Sequence, residues 1–360
     1  MKVRETQMDV LRGLGIILIV LGHAAFPYTH FLYLFHLIIF FILSGYFFPR
    51  LRYFFVKDKE SLKKFIILKI KRLYVPFVIG NIICVLLNNT FISLNLYDNI
   101  NHEYFGFKDI IVNIIKIILF RGNTEMLGAT WFLPILFFIS IIYAIIEFAI
   151  RNCKKKTREY IQIALSIIFL GLGYGLIQKN INFLGVQIFT CYIFFDFGRN
   201  FNKYKIKSKD IINCIKFIVS LVILVILNKC GNIELAKNEY TNIAYYISVS
   251  IAGWYFVYEL AYFVSKNNKI AKILQYIGKN TMPILILHFI AFKVINIIGV
   301  LILNQDRSLI AEFPVAFKNN YIWIVYTVSG IILPLYFNEL SKYVRKRRGK
   351  DEIRSSNSNL

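Results

Sequence analysis

Acidic residues are scarce in this 360-residue chain: 20 Asp and Glu stand against 43 Lys and Arg, which gives a formal net charge of +23. Charged residues of both signs make up only 18% of the sequence, whereas soluble domains average about 25%. Apolar residues reach 57%, above the roughly 45–50% of soluble domains. This balance excludes a disordered chain, disfavours a soluble enzyme and predicts a protein that crosses a membrane several times.

Several chemical signatures are also missing. The five cysteines show no paired or metal-ligand spacing, and the chain has no Walker loop, no dinucleotide glycine fingerprint and no HExxH helix. No repeat of 20–50 residues is visible, and the first apolar run lacks the small-residue site of a cleavable signal peptide. We therefore assign the cysteines no chemistry and expect no metal.

Long apolar runs are abundant. A helix needs about 20 apolar residues to cross a bilayer, and the sequence predicts ten such spans separated by Pro, Gly, Asn or charged runs. The predicted spans are 10–30, 32–48, 74–92, 129–150, 160–178, 183–198, 211–228, 241–264, 281–303 and 319–339. The expected fold class is an all-α polytopic membrane protein, with a membrane domain over 1–340 and a basic polar tail over 341–360.

The basic residues are distributed unevenly between the gaps. With the N-terminus in the cytoplasm, 32 of the 43 bases fall in cytoplasmic gaps, eight fall in outer gaps, and Arg12, Lys216 and Lys293 lie within spans. This split is a strong positive-inside signal and places both termini in the cytoplasm. The charge therefore indicates orientation rather than nucleic-acid binding. The largest outer segment, 93–128, is the best candidate for a cap over a substrate site.

Two basic segments are expected to contact membrane lipid. The run 49–73 mixes bases with apolar residues and could form an amphipathic helix on the cytoplasmic face. The tail Arg345–Arg348 is most simply a topology anchor beside anionic lipid. Surfaces that face lipid and surfaces that face a second copy have the same composition, so a homo-oligomer stays open.

Ionisable residues within spans are costly and indicate function by default. In the first span, Arg12 and His23 are 11 residues apart, which turns a helix by about 1100°, about 20° past three turns. They therefore share a face, about 16 Å apart along the axis, and Asp9 can pair with Arg12 three residues away. His23 could be a general base and Arg12 an anion-binding group; alternatively, His23 is an interhelical hydrogen-bonding group and Arg12 an anchor.

Other polar residues are candidates for substrate binding. Seven residues separate Thr281 from His288, so these two share a face of the ninth span. Trp131 fits an interfacial aromatic belt, and Gly45 permits close approach of two helices. The remaining candidates are His36, near the outer start of the second predicted span, and Ser44, whose residue type is more often a packing hydroxyl than a nucleophile. Near span ends, Glu147, Asp196 and Glu259 most simply snorkel or cap.

The N-terminal sequence resembles that of a known protein family. Residues 8–23 read MDVLRGLGIILIVLGH, which resembles the opening of acyltransferase family 3 membrane proteins, with Arg12 and His23 at that family's Arg, ten residues, His spacing. Residues 35–36 and 40–46 resemble its Phe-His and Phe-Phe-x-x-Ser-Gly-Tyr text. Weaker matches in the same order lie at 71–76, 131–133 and 280–288.

The resemblance implies a ten-helix enzyme that moves an acyl group, usually acetyl from acetyl-CoA, to a sugar hydroxyl of a cell-surface polysaccharide or glycolipid in the plasma or inner membrane. It implies His23 as the base, Arg12 as its partner near the donor, and Arg72 with Lys71 on the donor side. Many members carry a Glu where this chain has Leu136. In lacking this Glu, the chain resembles the family's branch of fucose 4-O-acetylase-like enzymes.

Two other functions are compatible with a polytopic chain of this kind. A transporter or flippase of lipid-linked sugars would more often show internal repeats, and the sequence shows none. A non-catalytic sensor or assembly factor is disfavoured by the cost of keeping Asp9, Arg12 and His23 in a membrane span. Binding or hydrolysis of acetyl-CoA distinguishes the enzyme from both.

Overall fold

A computed structural model describes residues 2–55, 58–98, 100–181, 183–204, 209–319 and 321–357. The chain is 79% helical. The helices are α1 Lys2–His23, α2 Thr29–Tyr33, α3 Ile38–Phe55, α4 Lys59–Lys69, α5 Val75–Leu86, α6 Asn88–Ser93, α7 Phe107–Ile118, α8 Phe132–Ala149, α9 Lys155–Gln178, α10 Leu184–Tyr204, α11 Asp210–Leu227, α12 Ile243–Val264, α13 Asn268–Lys279, α14 Thr281–Leu303 and α15 Ile322–Asn357.

Shorter elements connect these helices. A π-helical turn, Ile70–Tyr74, joins α4 to α5, and 3-10 turns form at Glu125–Trp131, Leu235–Lys237 and Arg307–Ala311. The strands β1 (Ile233–Glu234) and β2 (Glu239–Tyr240) pair in antiparallel fashion, with Ile233 opposite Tyr240.

The prediction of an all-α polytopic membrane protein is confirmed. Within the described ranges, eight helical segments are long and apolar enough to cross a membrane, and each overlaps a predicted span. The predicted span 74–92 is divided between α5 and α6 by a turn at Leu87, and 183–198 lies in α10. The count of ten spans and the cytoplasmic placement of both ends stay predictions.

Helix α1 occupies the centre of the bundle, packed against α12, α13, α14 and α15. A second group, α3, α8 and α9, packs around α10. By contrast, α11 packs against α12 and leaves most of its isoleucines and valines exposed. A helix that is apolar all round but exposed in the isolated chain is typical of a lipid-facing span.

Two glycines bring α3 and α10 into backbone contact. A Cβ atom at Gly45 would lie 1.8 Å from the Phe195 carbonyl oxygen, and one at Gly198 would lie 1.9 Å from that of Ile42. Both distances are far below van der Waals contact, so a side chain at either position would force the helices apart. The expectation that Gly45 permits close helix packing is confirmed.

A buried polar cluster joins α8 to α10. The Arg199 Nη2 donates to Glu147 Oε1 at 2.9 Å, and the Tyr143 hydroxyl donates to Asp196 Oδ1 at 2.6 Å. All four side chains are buried, as is Glu259 on α12. The prediction that these carboxylates snorkel or cap at span ends is wrong, because neighbouring helices enclose them and supply partners.

The two basic segments that were expected to contact lipid are largely helical. Asp58 caps α4 by accepting a hydrogen bond from the Ser61 amide at 2.7 Å, and the helix buries Phe65 while exposing Lys63 and Lys64. Part of the predicted run, 59–69, is therefore a helix with a buried and an exposed face, whereas residues 56 and 57 of that run lie outside the described ranges. Its placement on the membrane surface stays a prediction. Helix α15 runs through Asn357, so most of the predicted tail continues the last span; residues 358–360 lie outside the described ranges.

Candidate functional site

Three basic side chains gather at one pocket of about 390 Å³, here called the Arg12 pocket. Arg12 on α1, Lys69 at the end of α4 and Arg72 in the π-helical turn supply the charge. The hydroxyl-bearing residues Ser44 on α3 and Thr281 on α14 line it as well, and apolar side chains of α1, α3, α8 and α14 complete the wall. The structure thus brings together five residues from four separate parts of the sequence.

Arg12 is held by an acidic and an aromatic neighbour. Its Nη1 lies 3.3 Å from Asp9 Oδ1, and its guanidinium carbon lies 4.7 Å from the centre of the Phe47 ring. The predicted pairing of Asp9 with Arg12 is confirmed. Such contacts fix the plane of the guanidinium and leave donors available for an anionic ligand.

The π-helical turn sets which bases face the pocket. Lys69 and Arg72 line it, whereas the side chain of Lys71 is exposed and does not. π-helical turns occur often at functional sites because they change the direction of successive side chains. Burial, and secondarily the charge of Arg72, lowers the pKa of Lys69 to about 8. Nothing in the sequence distinguishes Lys69 from the neighbouring bases as a pocket residue.

His23 lines a second pocket of about 430 Å³, here called the His23 pocket. Trp131, from the turn before α8, and Tyr33, at the end of α2, lie in the same wall. The expected cap, 93–128, contributes Gly128 to the lining. A further part of the wall comes from a segment between α14 and α15 that the sequence did not single out, through Phe313, Pro314, Val315 and Lys318.

A row of rings surrounds His23. The His23 and His288 ring centres lie 5.7 Å apart in a stacked arrangement, and Phe289 meets His23 edge to face at 5.0 Å. On the other side, Tyr33 contacts His23 edge-on at 6.2 Å and stacks on His36 at 4.9 Å. The two predicted binding histidines therefore support the rings beside His23 rather than line the pocket.

Hydrogen bonds define which nitrogens of the supporting histidines carry hydrogen. His288 Nδ1 lies 3.0 Å from the Leu285 carbonyl oxygen, and His36 Nδ1 lies 2.9 Å from that of Leu32. Since a carbonyl only accepts, both Nδ1 atoms must donate. The Tyr33 hydroxyl donates to the Gly22 carbonyl at 3.2 Å, and its oxygen lies 3.5 Å from His23 Nδ1. His23 is only half-buried, so its ring is accessible from the pocket.

The two pockets are separated by a thin partition. On α14, Leu285 lines the Arg12 pocket and Phe289 lines the His23 pocket, one helical turn or about 6 Å apart. At the start of α8, Trp131 and Phe132 are consecutive residues that line opposite pockets. The arrangement therefore places an anion-binding group and a candidate base on two sides of a narrow apolar barrier.

Comparison with known proteins gives a family. A family model described as an acyltransferase domain, that of acyltransferase family 3, matches residues 5–339. No curated protein and no solved structure matches the chain. The match spans α1 to α15 and includes both pockets. Its length and the helical fold together show that the chain belongs to acyltransferase family 3 and is a multi-pass membrane acyltransferase.

Proposed function

We propose that this acyltransferase is an O-acetyltransferase that moves acetyl from acetyl-CoA to a sugar hydroxyl of a cell-surface polysaccharide or glycolipid, in the plasma or inner membrane. One observation carries the proposal: the Arg12 pocket and the His23 pocket lie back to back across a thin apolar partition. A transfer reaction between an anionic donor and a neutral hydroxyl needs this combination of sites.

The Arg12 pocket suits a donor with phosphate groups. Arg12, Lys69 and Arg72 place three positive side chains around a cavity whose other lining residues are mostly apolar. Guanidinium groups bind phosphate oxygens in a bidentate manner. We infer that the coenzyme A phosphates meet these bases while the narrow pantetheine arm enters the pocket, where Ser44 and Thr281 can hydrogen-bond to it. Asp9 orients Arg12, and Lys71 lies in the surrounding basic surface.

The His23 pocket suits a sugar acceptor. Trp131 and Phe289 offer aromatic faces for the apolar side of a sugar ring, and the His23 imidazole faces the same space beside them. In the proposed step, a neutral His23 takes the proton of the acceptor hydroxyl as its oxygen attacks the thioester carbonyl. The carbon–sulfur bond breaks, the acyl group passes to oxygen, and the proton held by His23 passes to the coenzyme thiolate, which returns His23 to its neutral form.

Supporting residues have a different role in this proposal. His36 and His288 pack around Tyr33 and His23, so they orient the base rather than contact the acceptor. Within the family we place the chain in the fucose 4-O-acetylase-like branch, because Leu136 lines the Arg12 pocket where many other members have Glu. Membrane lipid and a second copy of the chain are the other partners that the exposed apolar surface favours; nucleic acid is not among them.

The test is acyl transfer by the purified protein in detergent or nanodiscs. We expect labelled acetyl-CoA to bind and its acetyl group to appear on a glycan from the source cells. Mass spectrometry of surface glycans from a deletion strain should show loss of acetyl groups. Movement of a lipid-linked sugar across vesicles without any acyl transfer would contradict the proposal and favour a transporter.

A further inference from the structure

A lysine inside α14 holds down the outer loop that follows this helix. The Lys293 Nζ donates to the carbonyl oxygens of Ile310, Ala311 and Glu312 at 3.2, 2.7 and 3.0 Å. Only 2% of Lys293 is exposed. Three accepting carbonyls require three N–H donors, so the side chain is an ammonium group with all its hydrogens bonded.

Asn296, three residues further along α14, holds the same segment. Its Nδ2 donates to the carbonyls of Ile310 and Glu312 at 3.4 and 3.2 Å. Its Oδ1 accepts from the Ala316 amide at 3.2 Å and from the Tyr326 hydroxyl at 2.6 Å. Together with Lys293 it binds both sides of the bend at 310–316 to α14 and α15.

The segment held in this way forms one part of the wall of the His23 pocket. Residues 310–318, here called the wall segment, supply Phe313, Pro314, Val315 and Lys318 to the lining. The Phe313 ring lies 4.6 Å from that of Phe289, which in turn lies 5.0 Å from His23. A shift of the wall segment would therefore change the space next to His23.

A charged group in a membrane span is expensive and needs a compensating role. Apolar packing alone could anchor α14 in this stretch, because Phe292 and Val300 on the same helix are already buried. Instead, the Lys293 ammonium group donates its three hydrogen bonds to backbone carbonyls of the wall segment. Because backbone carbonyls are bound, the loop path is fixed whatever side chains it carries.

We propose that Lys293 and Asn296 are positioning residues that hold the wall segment in place and thereby set the affinity of the His23 pocket for the acceptor. The acceptor role rests on the proposed function, whereas the holding of the wall segment does not. The donor site should be insensitive to both residues, because Lys293 and Asn296 line neither pocket and the Arg12 pocket lies on the other side of the partition.

The first test measures the wall segment without any catalysis. Val315 is 1% exposed and Asn319 is exposed, so cysteine at either position, in a chain with its native cysteines replaced, reports local opening to a membrane-impermeant maleimide. We expect Lys293→Met to raise the labelling rate at 315 about tenfold or more and to leave that at 319 unchanged. An unchanged rate at 315 overturns the proposal.

The second test separates acceptor binding from donor binding. Lys293→Met should raise the acceptor KM about tenfold or more, leave the acetyl-CoA dissociation constant unchanged, and be partly rescued by Lys293→Arg, which keeps the charge and donors. Lys229→Met, at an exposed lysine of another outer segment, is the matched control. Equal effects on donor and acceptor, or none on the acceptor, would overturn the positioning role.

The two tests also distinguish a failure of the wall-segment proposal from a failure of the proposed function. If the parent protein transfers no acetyl group, the function fails while the labelling result still decides whether the wall segment is held. If Lys293→Met does not accumulate in membranes, Asn296→Leu removes three hydrogen bonds to the wall segment, leaves Lys293 in place, and is expected to raise labelling at 315 in the same direction. No rise in that variant contradicts the proposal.

Discussion

The contact between α3 and α10 leaves no room for a methyl group. In Gly45→Ala the new Cβ would start 1.8 Å from the Phe195 carbonyl oxygen, where an ordinary contact is 3.4 Å or more. The helices must separate by roughly 1.5 Å to relieve this overlap. Overpacking of this kind costs about 1–3 kcal/mol or more. Since Ser44, the preceding residue, lines the Arg12 pocket, we expect weaker donor binding as well as lower stability.

The assay compares apparent melting temperatures in detergent for Gly45→Ala and a control, Gly171→Ala. A Cβ at Gly171, on α9, meets nothing within 4 Å, and replacing a helical glycine by alanine gains about 0.5–1 kcal/mol where there is space. We expect the first variant to melt below the parent and the second to melt at or slightly above it. Equal melting temperatures for the two variants would refute the reasoning from close packing.

Three further predictions concern the buried pair and the donor pocket. Arg199→Met should cost about 3–5 kcal/mol, seen as a lower melting temperature, because it removes the charged partner of the buried Glu147 carboxylate; a melting temperature equal to the parent's would contradict this. The pKa of Lys69 is lowered to about 8, so this side chain loses its positive charge as the pH rises through that value. The affinity for acetyl-CoA should therefore fall over the same pH range, and Lys69→Gln should abolish this fall in affinity. Arg72→Gln should raise the donor KM severalfold and Lys71→Gln should not, because only Arg72 lines the Arg12 pocket; equal effects would contradict the geometry.

Helical periodicity was enough to predict the part of the site that lies on single helices. Arg12 and His23 follow each other along one face of α1, and Asp9 pairs with Arg12 as the three-residue spacing requires. Thr281 and His288 likewise project toward the Arg12 pocket and the His23 ring. Periodicity does not predict the partition between the two pockets. Arg12 and His23 face different pockets because residues of α8 and α14 lie between them.

Features that depend on several helices were missed for a physical reason. The burial of Glu147 by Arg199 on another helix is a tertiary contact, and a carboxylate near a span end has the same sequence context whether it snorkels or is enclosed. The π-helical turn determines that Lys69 rather than Lys71 lines the pocket, and a basic run carries no signal for such a turn. The sequence shows that Lys293 is a base within a span. It does not show its hydrogen-bond partners, because these are backbone carbonyls of a later loop rather than side chains with a recognisable spacing.

The central claim is that donor and acceptor occupy separate pockets with His23 as the base on the acceptor side. The most direct measurement is single-turnover acetyl transfer by His23→Gln, with acetyl-CoA binding measured on the same sample. Since a positioned base contributes about 10²- to 10⁴-fold, the account predicts a rate loss in that range with an unchanged donor dissociation constant. A folded His23→Gln protein that transfers acetyl at the parent rate, or one that loses donor binding instead, would contradict it.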